Sequence, residues 1–264
     1  MIPRKLHRVW VGSKPVDDQY LASWRRHCPG WEIRTWTNED AERITLPYVR
    51  EAYAAGKWAF VSDYLRLHAL AEEGGVYLDT DVELTAPLDP LRDNRFFVGL
   101  TARRFPQTAV IGSERGDALV RELLAGYEKS KFDLGLGVYD EHPINLRFKA
   151  ALERHGAKFD DIDIDVEHEP EPGVRLYPCS LLCAAAEGRP NIAIHHANGT
   201  WLDPYKRMNV IPLGFGLRLL RLKRRAFAGD DAPLNLLDDE RLRLHASYRR
   251  FTFALVSTHN GKRT

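Results

Sequence analysis

The sequence is poor in cysteine, has no long apolar run, and carries almost no net charge. Its three cysteines, Cys28, Cys179 and Cys183, are too few and too odd in number for a disulfide framework, and reduced thiols are the simpler interpretation. No segment approaches the ~18 apolar residues that a membrane-spanning helix needs. The first ten residues lack the apolar core of a signal peptide. We therefore expect a bacterial cytoplasmic protein, or one that has been separated from its anchor.

The balance of charges and apolar residues is that of an ordinary globular protein. The formal net charge is +1, so no strong electrostatic field indicates nucleic acid as the main partner. Hydrophobic residues make up 44% of the 264 residues and charged residues 28%, which leaves enough apolar material for a sizeable core. This length suits one large α/β domain, alone or with a small appendage.

The tail differs from the rest of the chain because basic residues outnumber acidic ones from Lys206 onward. Residues 215–225 read as a basic amphipathic helix. Two interpretations stay open: the helix lies on an anionic membrane surface, at the inner face of the plasma membrane, or it packs on the domain with its basic face in water. We predict a main domain over 1–205 and a basic helical extension over 206–264.

Apolar periodicity and turn residues predict alternating strands and helices through the first two-thirds of the chain. The predicted strands are 6–11, 31–36, 76–78, 96–100, 109–111 and 191–195, and the predicted helices are 17–27, 59–73, 117–129 and 143–155. This alternation is typical of an α/β fold with a mostly parallel sheet and helices on both faces. Ligands of such sheets bind beyond the carboxyl ends of the strands.

The motif Asp79-Thr80-Asp81 stands at one of those strand ends. Carboxylates are ligands that Mn²⁺ and Mg²⁺ prefer, and such a cation also grips a diphosphate and neutralises the charge that builds on it as it departs. On an extended strand the two side chains point to opposite sides. That arrangement suits a shared cation better than the pair of carboxyl groups of a glycosidase.

The preceding segment strengthens this short motif. Asp63 and Arg66 lie three residues apart on one face of the predicted helix. The pair Gly74-Gly75 ends the helix and lets it fold back, so that this polar face meets the strand before Asp79. Arg66 is then placed to pair with a phosphate or an aspartate, and Asp63 to accept hydrogen bonds from sugar hydroxyls. The ordinary alternative is a surface ion pair beside a solvated acidic turn.

The doubled histidine His195-His196, followed by Thr200-Trp201, is a second candidate region. Imidazole often joins carboxylates around a metal. Because side chains alternate along a strand, only one of the two histidines faces the site, and we favour His195.

Residues 59–87 resemble the sugar-binding DxD region of the family 32 glycosyltransferases. That family includes yeast α-1,6-mannosyltransferases and bacterial polysaccharide enzymes, and it is similar to the catalytic domains of glucosylating toxins. The likeness extends over roughly 2–100, through the segment 2–12 and the tryptophans Trp24, Trp31 and Trp36, and it returns near 190–202. The family often shows a histidine followed by Ser-Trp, where this chain has Thr200-Trp201.

The resemblance implies a GT-A-type fold, a nucleotide diphosphate sugar as donor and retention of anomeric configuration. It assigns Trp10 to the nucleobase, although a strand tryptophan in the core is the ordinary alternative. Asp81 is implied as a direct metal ligand and Asp79 as a ligand of metal or ribose. The implied nucleotide contacts are Val9, Trp10, Tyr77, Asp79, Thr80, Thr200 and Trp201; the sugar or acceptor contacts are Asp63, Arg66, His142 and Asn145; the metal ligands are Asp79, Asp81, His195 and His196.

The function predicted on these grounds is transfer of a hexose or N-acetylhexosamine to a glycan or glycolipid in polysaccharide biosynthesis, with Mn²⁺ or Mg²⁺. A UDP-sugar is the first candidate donor and GDP-mannose the second. Two alternatives remain: a metal-dependent phosphohydrolase of nucleotide sugars, and a non-catalytic module that binds glycans or membranes.

Overall fold

The computed structural model describes residues 1–135 and 138–197, and the backbone of four strands within 210–257. Two compact units are distinguished. The first comprises Met1–Leu134 and Tyr139–Asn198, and the second comprises Gly135–Val138 and Gly199–Thr264.

The first unit contains a seven-stranded sheet, a two-stranded sheet and seven helices among the described residues. Its strands are β1 (Lys5–Val9), β2 (Glu32–Trp36), β3 (Gly75–Leu78), β4 (Val82–Leu84), β5 (Phe96–Leu100), β6 (Pro106–Ser113), β7 (His168–Glu171), β8 (Val174–Tyr177) and β9 (Ala193–His195). Its helices are α1 (Leu21–His27), α2 (Asn38–Arg43), α3 (Pro47–Ala54), α4 (Trp58–Glu73), α5 (Ala118–Glu128), α6 (Ile144–Arg154) and α7 (Cys179–Leu182).

The large sheet has the strand order β2-β1-β3-β6-β5-β8-β7. The neighbours β2, β1 and β3 are parallel, and β5 is parallel to β8, whereas β6 and β7 run opposite to their neighbours. Five of the seven strands therefore point the same way, and the predicted α/β class with a mostly parallel sheet is confirmed. Strands β4 and β9 pair separately, beyond the end of β3.

The two faces of the sheet are covered by separate apolar clusters. Along β3, Tyr77 belongs to the cluster that packs against α4, while Val76 and Leu78 belong to the cluster around Trp24 on the other face. This alternation follows from the two-residue period of a strand and explains why β3 reads as a continuous apolar run. Among the described residues no helix is long and apolar enough to cross a bilayer.

The turn from α4 to β3 depends on Gly74 and Gly75, whose φ angles are +64° and +107°. A Cβ on Gly74 would lie 2.6 Å from the backbone nitrogen of Arg115, and one on Gly75 would lie 2.5 Å from the carbonyl oxygen of Lys5. Only glycine fits both the conformation and the space. The pair reverses the chain at once, so the polar face of α4 lies beside the end of β3 as the sequence predicts.

The tail corrects one prediction. Residues 210–257 contribute β10 (Val210–Gly214), β11 (Leu217–Lys223), β12 (Leu242–Tyr248) and β13 (Phe251–Ser257), which form an antiparallel sheet in the order β10-β11-β13-β12. The helix predicted over 215–225 is wrong, because its central residues form β11 and pair along their whole length with β13. The repetition of leucine and arginine fits the period of a helix as well as that of a strand. Pairing with a strand distant in the sequence decides between the two. The membrane contact predicted for a basic helix loses its basis, and the division at residue 205 stays a prediction.

Candidate active site

Parallel strands place three chain segments at one edge of the large sheet. Strands β2, β1 and β3 end at Trp36, Val9 and Leu78, so the residues after them share the carboxyl edge. Trp10 is half-buried there; its backbone N–H donates to the Trp36 carbonyl at 2.8 Å and its indole Nε1–H to the Lys14 carbonyl at 2.8 Å. His7 pairs with Tyr77 in the register, so Trp10 and the aspartate motif follow neighbouring strand ends.

The chain turns at the aspartate motif instead of continuing as a strand. The N–H of Val82 donates to the carbonyl of Asp79 at 3.0 Å, which closes a tight turn over Thr80 and Asp81. The prediction that the two carboxylates point to opposite sides is therefore wrong. Because the backbone folds back, the ligand atoms of Asp79, Asp81 and His195 all lie within 4.8 Å of one another.

The pairing of β4 with β9 brings the late histidine to this turn. Val82 is the register partner of His195, whose Nε2 lies 3.3 Å from Oδ1 of Asp81. His196 points elsewhere: its Nε2 lies 3.0 Å from Glu83, and its ring stacks on Tyr20 with centroids 4.5 Å apart. Of the two predicted histidines, only His195 brings its imidazole to the aspartate carboxylates, whereas His196 contacts Asp81 through its backbone N–H, which donates to the Asp81 carbonyl at 3.0 Å. Thr200 and Trp201 lie outside the described residues.

These three side chains fit a divalent cation. Burial lowers the pKa of His195, but its hydrogen bond to Asp81 and the charges of Asp79 and Asp81 outweigh burial, so the net pKa is raised. The side chains of Asp79, Asp81 and His195 keep 26%, 18% and 23% exposure, so an ion can reach them from solvent. Two carboxylates and an imidazole are a donor set that suits Mn²⁺, while Mg²⁺ favours oxygen alone.

Arg66 links the helix to the aspartate turn. Its guanidinium lies 3.0 Å from Oδ1 of Asp63 and 3.4 Å from Oδ1 of Asp79, and its Nη1 donates to the carbonyl of Thr108 at 2.9 Å. The guanidinium carbon also lies 4.7 Å from the centre of the Tyr77 ring. This side chain is only 8% exposed, so its contacts are shielded from water and rigidly placed.

Tyr77 holds the first aspartate of the motif. Its hydroxyl donates to Oδ1 of Asp79 at 2.6 Å. Tyr77 and Arg66 therefore share one oxygen of Asp79, which fixes the orientation of the carboxylate. Asp79 is held by Tyr77 and Arg66, and Asp81 lies beside His195. That Asp81 is the firmer metal ligand stays a prediction.

Asp63 is an unusually buried acid. Burial raises its pKa to about 6; Arg66 opposes the rise, Asp79 adds to it, and Arg147 opposes it. Arg147 stands in the first turns of α6, where it lies 2.9 Å from Asp140 and 4.5 Å from the centre of the Tyr127 ring. No sequence pattern selects Arg147, because nothing in its spacing relates it to Asp63.

The raised pKa of Asp63 makes a prediction for stability. A carboxyl whose folded pKa exceeds its unfolded pKa stabilises the fold fully below pH 4, and this contribution is lost as the pH rises through 6. Relative to Asp63→Asn, the wild-type protein should lose roughly 2–3 kcal/mol of unfolding free energy between pH 4 and pH 7. Urea denaturation of both proteins in EDTA measures this difference. A constant difference across that range would contradict the burial of an ionisable Asp63.

The other predicted residues are less close to the aspartate turn. Val9 is 7% exposed and packs in the core, so only its backbone is available to a ligand. Thr80 is half-buried in the turn itself. His142 is exposed and its N–H donates to Asp140 at 3.1 Å, and Asn145 is half-buried in the first turn of α6. The structure does not place His142 or Asn145 in contact with Asp63 or Arg66 through any described hydrogen bond.

The sequence also missed two backbone groups of the site. The carbonyl of Thr108 accepts from Arg66, and the carbonyl of Ala109 accepts from the N–H of Asp79 at 2.8 Å. Main-chain carbonyls leave no signal in residue type, so no pattern in the sequence could have identified them.

One family profile matches part of this site. The profile described as "Glycosyltransferase sugar-binding region containing DXD motif" matches residues 15–97, which include Asp63, Arg66, Asp79 and Asp81. Residues 15–97 are therefore similar to the DXD region of glycosyltransferases. The resemblance to DxD glycosyltransferases that the sequence suggests is thus confirmed for this region.

Two curated proteins are similar to part of the chain. Subversion of eukaryotic traffic protein A of Legionella pneumophila is 28% identical in an alignment of 115 residues that covers 33% of this chain and 18% of that protein. Inositol phosphoceramide mannosyltransferase 1 of Schizosaccharomyces pombe is 29% identical in an alignment of 124 residues that covers 42% of this chain and 36% of that protein. The chain thus spans well under half the length of either relative.

Two solved structures are also similar to the chain. The PaToxG glycosyltransferase has 15% identity and a TM-score of 0.44, with 58% of this chain and 69% of that chain covered. The UDP-bound glycosyltransferase domain of the YGT toxin has 14% identity and a TM-score of 0.40, with 60% and 69% covered.

Proposed function

We propose that this chain is a metal-dependent glycosyltransferase that moves a hexose or N-acetylhexosamine from a nucleotide diphosphate sugar to a glycan or glycolipid. The observation that carries the proposal is the cluster of Asp79, Asp81 and His195 beside the buried pair of Asp63 and Arg66. A cation held by the cluster supplies Lewis-acid stabilisation to a departing diphosphate. A lone ion pair on the surface would account for neither the convergence nor the burial.

Each residue of the site has a proposed role that follows from its chemistry. Asp81 and His195 are the groups that would hold Mn²⁺, or Mg²⁺, and Asp79, fixed by Tyr77, would contact the same ion or the ribose. Asp63 is oriented by Arg66 and is available to accept hydrogen bonds from hydroxyls of the donor sugar. Arg66 places positive charge where a phosphate would lie. Trp10, half-buried at the same edge, offers a ring face for the nucleobase.

The donor is proposed from the resemblance and from the relatives. A UDP-sugar is the first candidate. GDP-mannose is the second, and the name of the yeast relative, a mannosyltransferase, supports mannose as the sugar. Retention of anomeric configuration, a role in polysaccharide biosynthesis and a cytoplasmic location belong to the same proposal.

One assay separates the transferase from a phosphohydrolase. The protein is incubated with Mn²⁺ and a panel of UDP- and GDP-sugars, with and without acceptor glycans, and released nucleotide diphosphate and glycosylated product are both measured. The proposal expects nucleotide release to rise strongly when an acceptor is present, with product of retained configuration by NMR. Release at full rate without acceptor would overturn the transferase in favour of a hydrolase.

The two adjacent histidines make a matched pair for testing the metal site. His195→Ala should weaken Mn²⁺ binding by about tenfold to hundredfold or more. Loss of a residue that only supports a metal ligand already lowers metal affinity by that factor, and loss of a ligand should lower it at least as much. His196→Ala removes a neighbouring imidazole that contacts Glu83 and Tyr20, so it should leave Mn²⁺ affinity nearly unchanged. Mn²⁺ titration followed by electron paramagnetic resonance measures both. Equal losses in the two variants would contradict the assignment of His195.

A further inference from the structure

The sheet contains a local irregularity directly beside the aspartate turn. Along β5 and β6, Val98 pairs with Ile111, but the next residue, Gly99, pairs with Gln107. Residues 108–110 of β6 are therefore left without a partner on β5. Bulges of this kind are frequent next to active sites, where they redirect backbone groups.

Two backbone carbonyls of this segment contact the site, and that of Ala109 lies on the side of β6 that pairs with β3. The carbonyl of Thr108 accepts from Arg66 at 2.9 Å, and the carbonyl of Ala109 accepts from the N–H of Asp79 at 2.8 Å. Val110 pairs with Leu78, the residue before Asp79. The carbonyls of Thr108 and Ala109 therefore hold the guanidinium of Arg66 and the backbone of Asp79.

A single side chain closes the bulge. Oε1 of Gln107 accepts from the N–H of Val110 at 3.1 Å, which spans the three extra residues from one end to the other. Gln107 is 3% exposed, and its Nε2 has no hydrogen-bond partner among the described residues. The oxygen is thus the part of the amide that shapes the backbone. A buried polar side chain retained for one local hydrogen bond indicates a specific role, since an apolar residue would fill the space at lower cost.

We propose that Gln107 is a positioning residue for this glycosyltransferase site: by closing the bulge over 108–110 it sets the carbonyls that hold Arg66 and Asp79. The inference rests on the proposed function for its effect on catalysis, and on the structure alone for its effect on the Asp79 backbone. Gln107 itself touches neither the aspartates nor Arg66 through a described hydrogen bond.

The test compares three variants by two independent measurements. Gln107→Met keeps the volume and removes the accepting oxygen. Gln107→Glu keeps an accepting oxygen, because burial favours the protonated, neutral carboxyl. Val98→Ala is the control: it creates a cavity at the last regular pair beside the bulge and lowers stability, but it leaves Gln107 and its hydrogen bond to Val110 in place. The measurements are hydrogen exchange of the Asp79 amide by NMR in the absence of ligands, and kcat and KM for the donor sugar.

In Gln107→Met, the Asp79 amide should exchange about tenfold faster, as expected for the loss of one supporting hydrogen bond. The kcat should fall by about tenfold or more with a smaller change in KM, because misplacement of a reacting geometry acts on the chemical step. Gln107→Glu should stay closer to wild type in both measurements, and Val98→Ala should show neither change despite its lower stability.

The proposal would be overturned if Gln107→Met kept the wild-type exchange rate of the Asp79 amide and the wild-type kcat. It would also be overturned if Val98→Ala changed both quantities as much as Gln107→Met does. If Gln107→Met does not fold, Gln107→Asn replaces it, since its shorter side chain keeps an amide but cannot span the bulge. If the wild-type protein transfers no sugar, the proposed function fails, and the exchange of the Asp79 amide still decides the structural role of Gln107.

Discussion

Replacing Asp81 by asparagine is expected to lower kcat for sugar transfer by about 10²- to 10³-fold, the scale on which active sites lose rate when one group that stabilises developing charge is removed. Asparagine keeps the size of the side chain but not its charge. Asp81 is the aspartate whose carboxylate lies 3.3 Å from His195, while Asp79 is already engaged by Tyr77 and Arg66. The neutral amide is a poor ligand for a hard cation, so charge on the departing diphosphate goes unbalanced.

The matched control is Glu83→Gln, two residues further along the chain. Glu83 is 41% exposed and pairs with His196, away from the metal ligands. The Glu83→Gln variant should keep the wild-type kcat, because an exposed ion pair contributes little to the stability of the fold. Steady-state kinetics over a series of Mn²⁺ concentrations, with circular dichroism to verify folding, compares the two variants. Folded Asp81→Asn protein with undiminished kcat would exclude Asp81 from the proposed metal–diphosphate site.

Much of the site could be predicted because its residues lie close together in the sequence. Helix α4, the glycine pair and β3 follow one another, so periodicity and turn chemistry indicate that Asp63 and Arg66 face Asp79. The burial that sharpens this arrangement is not local. It comes from β6 and α5, whose contact with α4 joins residues more than forty positions apart, such as Arg66 and Thr108.

Other features depended on pairings that no short pattern encodes. The choice between His195 and His196 is set by the register of β9 on β4, and the convergence of Asp79 and Asp81 by a turn that the expectation of an extended strand missed. The strand β11 was predicted as a helix because its leucines and arginines fit either period until β13 pairs with it. In each case a partner elsewhere in the chain, rather than the local residues, determined the outcome.

The buried pair of Asp63 and Arg66 predicts a large loss of stability that a second substitution reverses. Arg66→Met should lower the free energy of unfolding by about 3–5 kcal/mol, because it leaves Asp63 as an uncompensated charge in the interior. Asp63→Asn in the same chain removes that charge. The double variant should therefore be more stable than Arg66→Met alone, with a coupling energy of about 2–3 kcal/mol in the cycle of four proteins.

The control is the pair Lys149 and Glu153 on α6, which lie four residues apart and form an ion pair near the surface. The cycle of Lys149→Met and Glu153→Gln should give a coupling of only about 0.3–0.5 kcal/mol. Urea denaturation at pH 7 measures both cycles. Coupling between Asp63 and Arg66 no larger than in the control would contradict the buried pair.

Measurements of sugar transfer distinguish two roles of Arg66, the balancing of the Asp63 charge and the placement of positive charge beside the donor phosphate. Its contact with Asp79 and its charge near the proposed diphosphate are lost in both Arg66→Met and the double variant. Sugar transfer should therefore stay low in the double variant although its stability recovers. Recovery of kcat together with stability would show that Arg66 acts only by balancing Asp63, and its placement beside the donor phosphate would then have to be abandoned.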